Sequence, residues 1–302
     1  GSELPAGADA VVMIEYVTEL GDELEVYDAV AEGENVGPIG EDIEAGTELF
    51  EPGHQIRPSD LGLLKSVDNR DVAVRAKPEV AVIPTGEEVV QEDPEPGEIV
   101  ETNGLTVSRM VERWGGTARH REVVTDDEDR LRDALERDRD ADLIVTTGGS
   151  SVGERDLTPD VVETLGEVVL HGVAIKPGHP VAIGRVGETP ILLLPGYPVS
   201  CIVNAWLFLR PAIKWALGTD IVNPPSVEAT LSKKLRSEPG MRTLARVTLE
   251  RDGEETVATP VSASGAGVLS TVALADGWVQ IPESREGIPS GESVTVEQWE
   301  AL

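Results

Sequence analysis

Apolar residues follow three successive patterns along this chain. Over residues 1–53 they form short runs separated by Gly, Pro and Glu turns. Val11 to Ile14, Glu23 to Tyr27 and Thr47 to Phe50 read as strands. Residues 54–78 carry a short helix through Leu61, Leu64 and Val67, with Ser59 as its expected N-cap. From 79 to 221, strand and helix patterns alternate. Strands are expected at Val80 to Ile83, Arg121 to Thr125, Asp142 to Thr146, and near 167–174, 181–185 and 190–194. One intervening helix is capped by Asn103, buries Val107, Met110, Val111 and Trp114, and stops at Gly115-Gly116. A second runs from Asp127 to Arg137 with Leu131, Ala134 and Leu135 on one face, and Thr158-Pro159 opens a third. A long apolar helix from Pro198 to Leu217 should kink at Pro211. This alternation predicts a parallel sheet with helices on both faces. After Asn223-Pro224-Pro225 the pattern turns to strands: Val227 to Leu231, Thr243 to Glu250, Thr256 to Pro260, Gly277 to Ile281 and Ser293 to Val296. A small barrel or sandwich is expected there. The expected fold class is therefore multidomain α/β plus β. A β-rich N-terminal domain (1–53) and a linker (54–78) of an incomplete first domain precede a central three-layer α/β domain (79–221). A C-terminal β-barrel (222–302) follows.

Three glycine-rich turns interrupt the central pattern: TTGGSSVGERD (146–156), IKPGHP (175–180) and LPGYPVS (194–200). Glycine lets backbone approach a ligand closely, and N–H groups at a strand-to-helix turn point at anions. Turns at the strand ends of one sheet converge on one site. Lys176 offers an ammonium beside its turn, and Ser150 and Ser151 offer hydroxyls. Carboxylates stand at the same junctions: Glu87 and Glu88, Asp126 and Asp127, and Asp156. Carboxylates beside bound phosphate imply a bridging divalent ion, because unpaired anions repel. Asp127 equally suits a helix N-terminus, and Asp156 an ordinary loop.

Charge narrows the partners. The chain has 56 acidic against 25 basic residues and a net charge of −31, spread along its length. No basic stripe exists to neutralise nucleic-acid phosphates, so nucleic-acid binding is disfavoured. A halophile-like surface, screened at high salt, is the expectation. The single cysteine, Cys201, allows no internal disulfide and lies in an apolar run, which favours a packed core residue. No membrane span or secretory leader is expected, and the expected location is cytoplasmic. The opening Gly1-Ser2-Glu3 leads straight into an apolar run, so the chain is expected to begin inside a domain.

The ordered motifs resemble the molybdopterin molybdenumtransferase family. They are PTGEEV (84–89), VTDDEDRLRDAL (124–135), DLIVTTGGSSVGERDLT (142–158), HGVAIKPGHPVAIG (171–184) and LPGYPVSCIVNAWLFLRP (194–211), with GSELPAGADAVVMIE (1–15) and ENVGPIGEDIEAG (34–46) before them. The resemblance implies insertion of molybdate or tungstate into adenylated molybdopterin, with release of AMP and assistance from Mg2+. It implies that Gly148, Gly149, Ser150, Ser151 and Gly153 cradle the terminal phosphate of the pterin. It also assigns the bound pterin to Thr85, Gly86, Pro177, Gly178, His179, Pro195, Gly196, Tyr197, Pro198 and Ser200. Glu88, Asp127 and Asp156 would hold the metal, and Lys176 would complete the catalytic set. A homodimer is implied, with the molybdopterin adenylyltransferase as a possible partner. Four positions depart from the family pattern. Glu87 precedes Glu88 where aspartate is usual, His179 replaces a second lysine, Tyr197 replaces an asparagine, and the phosphate loop reads GGSSVG. The family's Asp-Gly-Tyr-Ala segment is not in this sequence. A non-catalytic molybdopterin-binding paralogue, acting as carrier or sensor, is the alternative reading.

Overall fold

The computed structural model describes residues 2–148, 157–253, 255–261 and 267–299. The chain divides into two compact units, Gly1–His54 and Gln55–Leu302. In the first unit, β1 (Val17–Leu20) and β2 (Glu23–Val26) form an antiparallel hairpin across Gly21, whose φ is +70°. The strand expected at Val11 to Ile14 does not form. Its backbone is satisfied locally instead: Val11 N–H donates to Glu34 O at 3.1 Å, and Asn35 Nδ2 donates to Val11 O at 2.8 Å. A 3-10 turn, Ile14–Tyr16, follows. Thr47 to Phe50 is likewise not a strand.

The second unit opens with α1 (Pro58–Ser66). Pro58 occupies its first position, and the Asp60 carboxylate accepts from Arg57 N–H at 2.8 Å. The cap is thus Arg57 rather than Ser59, because proline is best tolerated at the first helical residue. Then come β3 (Glu79–Ile83), the short β4 (Val89–Val90) and β5 (Ile99–Val100), α2 (Asn103–Trp114), β6 (Thr117–His120), α3 (Glu128–Arg137), β7 (Leu143–Thr147) and α4 (Leu157–Leu165). They are followed by β8 (Gly166–His171), β9 (Ile175–Lys176), β10 (Ala182–Val186), β11 (Thr189–Leu194), α5 (Pro198–Asn204) and α6 (Arg210–Leu217).

A 6-stranded sheet runs β6-β3-β7-β11-β10-β8. The first four strands are parallel, but β10 is antiparallel to both β11 and β8. The sheet is therefore mixed, not wholly parallel, because the tight Gly187 turn returns the chain as a hairpin. Strand alternation explains the three layers. Val80, Val82, Val145, Leu192 and Leu194 pack with Val107, Val111, Trp114, Cys201 and Ile213 on one face. Ala81, Ile83, Ile144, Ile191 and Leu193 pack with Leu131, Leu135, Val161 and Val162 on the other.

Two expected elements shift. The strand expected at Arg121 to Thr125 is β6, which pairs with β3 from Glu79↔Thr117 to Val82↔His120. The β-branched Val123-Val124 pair keeps only an isolated bridge from Val124 to Thr85. The long helix is interrupted by a π-helical stretch, Ala205–Leu209, just before Pro211. A widened turn there relieves the clash between the proline ring and the preceding carbonyl.

The C-terminal strands match expectation: β12 (Ser226–Leu231), β13 (Leu235–Arg236), β14 (Arg242–Asp252), β15 (Glu255–Pro260), then α7 (Ser270–Ala273), β16 (Gly277–Ile281), β17 (Gly287–Ile288) and β18 (Ser293–Gln298). The order β15-β12-β18-β16-β14 closes through β14–β15 into a barrel. Its core holds Val247, Ala258, Val279, Ile281 and Val296. β9 of the α/β layer joins this barrel by pairing with β14, so the two are stitched at Ile175↔Arg242 and Lys176↔Thr243. Among the described residues, no helix is long and apolar enough to cross a membrane.

Candidate active site at the strand ends

The turns after β3, β7 and β11 meet at one edge of the sheet. At the end of β3, Gly86 N–H donates to Val124 O at 3.1 Å and Val124 N–H to Pro84 O at 2.8 Å, which fixes Thr85. At the end of β7, Gly148 has φ +155°, and a Cβ there would lie 2.3 Å from Thr85 O and 2.8 Å from Thr85 Oγ1. Only glycine fits that approach. Gly148 N–H donates to Leu194 O at 3.1 Å. At the end of β11, a Cβ on Gly196 would stand 3.6 Å from Gly148 Cα. Backbone thus converges from three strands, as anion sites at α/β strand ends require. The hydroxyls of Thr85, Thr146 and Thr147 are buried there without a partner among the described residues. Gly149, Ser150, Ser151, Gly153 and Asp156, assigned above to the phosphate cradle and metal, lie outside the described residues.

α2 braces this edge. Asn103 does not cap it: the Glu101 carboxylate does, accepting from Gly104 N–H at 2.5 Å and Leu105 N–H at 3.2 Å. Asn103 Nδ2 donates to Gly196 O at 2.7 Å instead, tying the helix start to the Pro195-Gly196-Tyr197-Pro198 turn. Pro198 then occupies the first turn of α5. Tyr197 is 67% exposed.

On the acidic side, two neighbouring aspartates stand in different surroundings. Asp127 is the N-cap of α3, its Oδ1 accepting from Arg130 N–H at 3.0 Å. Asp126 is the carboxyl that lies with Glu88 and Glu87. Burial, then the charge of Glu88, then that of Glu87, raise its pKa above the usual aspartate value. Glu88 also reaches back over the turn, its Oε2 3.4 Å from the Cβ direction of Gly86. Asp126 is partly buried whereas Glu87 and Glu88 are exposed, and carboxylate oxygens are the hard donors that Mg2+ prefers. Among the described residues, no group of three or more His, Cys, Asp or Glu already has metal-holding geometry. The cap rule identifies Asp127 as the helix start, which leaves Asp126 as the residue free to face the turn.

The IKPGHP turn is held from two sides. Asn204 Nδ2 donates to Gly178 O at 3.0 Å and to Ser200 O at 2.8 Å. Arg242 N–H donates to Ala174 O at 2.9 Å from the barrel. Between turn and barrel lies a cavity of about 830 Å3, lined among others by Lys176, His179, Ser200, Arg236, Glu238 and Arg246. Lys176 Nζ is ion-paired with Glu238. Arg246 projects from β14 with its Nε buried and without a partner among the described residues. Burial lowers its pKa, yet a guanidinium stays charged at neutral pH. A buried cationic donor lacking a partner marks a place for an anion. The sequence assignment missed Arg246, Arg236 and Glu238, which lie far along the chain from the turn they face.

Comparison with known proteins agrees with this fold. Residues 81–215 match a family model described as a probable molybdopterin binding domain. Residues 1–67 match the MoeA N-terminal region (domain I and II), and residues 228–299 the MoeA C-terminal region (domain IV). The molybdopterin molybdenumtransferase of Staphylococcus aureus is 31% identical over 305 residues, covering 98% of this chain and 72% of that protein. That of Bacillus subtilis is 30% identical over 304 residues, covering 98% and 71%. A crystal structure of a molybdopterin biosynthesis MoeA protein from Pyrococcus horikoshii superposes with a TM-score of 0.84 at 35% identity, covering 100% of this chain and 75% of that one. Another from the same organism gives 0.78 at 30% identity, covering 99% and 74%.

Proposed function

The chain belongs to the MoeA family of molybdopterin biosynthesis proteins, and from that premise we propose that it inserts molybdate or tungstate into adenylated molybdopterin and releases AMP. The observation that carries this reading is the meeting of Thr85, Gly148 and Gly196 at one sheet edge, together with a cavity lined by Arg246, whose Nε has no partner among the described residues. The first feature suits a phosphorylated pterin, and the second suits a tetrahedral oxyanion.

Each group then has a role. Backbone around Gly86, Gly148 and Gly196, with Gly149, Ser150, Ser151 and Gly153, holds the phosphates. Arg246, Lys176 and His179 attract and orient the molybdate dianion. Glu88 and Asp126, with Asp156 of the phosphate loop, would hold Mg2+, and Asp127 fixes the start of α3 behind them. When bound, Mg2+ offsets charge on the phosphate oxygens. Attack of water on the phosphoanhydride would break its P–O bond and free AMP and molybdopterin, whose two dithiolene sulfurs would then replace one molybdate oxygen, lost as water. Holding both substrates in one orientation removes much of the entropic part of the barrier. A homodimer, and receipt of the adenylated pterin from the adenylyltransferase, complete the proposal.

The test is AMP release by full-length protein given adenylated molybdopterin, molybdate and Mg2+ in high salt. Release that requires molybdate supports the enzyme. Tight pterin binding without release would instead identify a carrier or sensor.

A further inference from the structure

We infer that Tyr197 is a stacking platform for a planar heterocycle of the substrate, a specificity residue carried at the rim of the phosphate-binding backbone. The inference rests on the phosphate-site reading of the three strand ends. The chain has five Trp, three Tyr and two Phe, so the place of each is informative. Trp114, Trp206, Trp278 and Trp299 pack on one another in successive edge-to-face contacts and are committed to the interior. In the second unit, the Trp, Tyr and Phe side chains exposed among the described residues are Tyr197 and Trp215. Trp215 stands near the far end of α6, whereas Tyr197 follows Gly196 directly.

The backbone under the Tyr197 ring is fixed. Asn103 Nδ2 donates to Gly196 O at 2.7 Å, Cys201 N–H donates to Tyr197 O at 2.9 Å, and Pro198 opens α5. The Cβ direction of Gly196 ends 3.6 Å from Gly148 Cα, so the ring follows at once on the point where the turns meet. Gly267 borders one edge of the ring: a Cβ there would lie 3.4 Å from Tyr197 Cδ1 and 3.7 Å from Cε1. The side chain nevertheless stays 67% exposed. A fixed backbone and only two side-chain torsions present an aromatic face at low entropic cost. Backbone N–H groups hold phosphates but leave the flat faces of a heterocycle uncovered. An aromatic ring covers such a face whatever the donor pattern along its edge. Adenylated molybdopterin carries two such heterocycles, the pterin and the adenine. Asparagine, usual here in the family pattern, would offer only a small polar amide.

The test is equilibrium binding of AMP and of molybdopterin, each alone, to the full chain in wild type, Tyr197→Phe and Tyr197→Leu. At least one ligand should bind Tyr197→Leu at least about fivefold more weakly than wild type, and Tyr197→Phe within about twofold of it. A loss for AMP assigns the adenine, and a loss for molybdopterin assigns the pterin. Leucine keeps apolar bulk without an aromatic face, so the contrast with phenylalanine reads stacking rather than packing. Trp215→Leu should bind both ligands as wild type does. In parallel, NMR of ring-labelled tyrosine should show one signal, the one missing from Tyr197→Phe, moving upfield when that ligand is added. Equal affinities in Tyr197→Leu and wild type for both ligands, an equal loss in Tyr197→Phe, or a Tyr197 signal that does not move would overturn the inference and leave the proposed function standing. Binding of neither ligand by wild type would overturn the inference and the phosphate-site reading together.

Discussion

Gly148 stands against Thr85 so closely that a side chain at 148 would place its Cβ 2.3 Å from the Thr85 carbonyl oxygen. The two residues follow adjacent parallel strands, and the proposed function puts the phosphate beside their contact. Gly148→Ala meets both that clash and a φ of +155°. It should destabilise the protein by at least about 2 kcal/mol and weaken adenylated pterin binding more than tenfold. Denaturant titration and equilibrium binding check the two effects separately.

Asp126 and Asp127 should separate cleanly. Asp127→Ala removes a cap and should cost about 1 kcal/mol, while Asp127→Asn, which keeps a capping oxygen, should cost only a few tenths. Asp126→Asn should act in the opposite sense on stability. Its raised pKa, set by burial and then by Glu88 and Glu87, means that the folded state holds this proton more tightly than the unfolded state. This group therefore leaves metal-free stability highest below the ordinary aspartate pKa and lowers it as pH rises through the raised value. At neutral pH Asp126→Asn should raise the metal-free Tm and reduce the Tm gain on adding Mg2+. Thermal melts across pH, with and without Mg2+, measure both.

Much of this was legible in the sequence, for reasons that the two faces of the sheet make plain. Val80 and Val82 alternate with Ala81 and Ile83, and both sets are buried, so a continuous apolar run marks a central strand. The stripe Val107, Val111 and Trp114 marked α2 equally well, and Gly115, with φ +102°, its end. Edge elements were harder. β6 reads Thr-Ala-Arg-His because its Arg119 pairs with Glu79 and Asp140 at the sheet margin, so its polar residues hide the strand. The antiparallel direction of β10 depends on a hairpin turn that apolar pattern does not encode. Arg246 was illegible for another reason: it reaches the Lys176 turn only because β9, between β8 and β10 in the chain, pairs with β14 of the barrel.

Asn204 joins α5 to the Lys176 turn, its Nδ2 bonded to both Gly178 O and Ser200 O. Asn204→Ala removes two buried hydrogen bonds, leaving Gly178 O with only the longer bond from Val181 N–H at 3.3 Å, and should cost about 1–3 kcal/mol. Because the turn loosens, molybdate affinity should fall as well. Equal affinity in the variant and the wild type would mean that the turn holds its shape without this link.

Cys201 should be inert. The residue is fully buried, and burial pushes its thiol pKa well up, which disfavours the reactive thiolate. A thiol reagent at neutral pH should label it only after denaturation. Rapid labelling of the native protein would contradict the packing of α5 against the sheet.

With a net charge of −31, the protein should gain stability with added salt, since screening relieves self-repulsion. The Tm should rise between about 0.1 M and about 1 M potassium chloride, where the Debye length falls from about 10 Å to about 3 Å. A flat response would remove the halophile-like reading of the surface.

The most direct measurement of the central claim is the molybdate dependence of AMP release in wild type and Arg246→Gln. If phosphate turns and barrel cavity form one site, the variant should bind adenylated pterin as wild type does but need at least about tenfold more molybdate for half-maximal release. An unchanged molybdate requirement, or a loss confined to pterin affinity, would contradict the account.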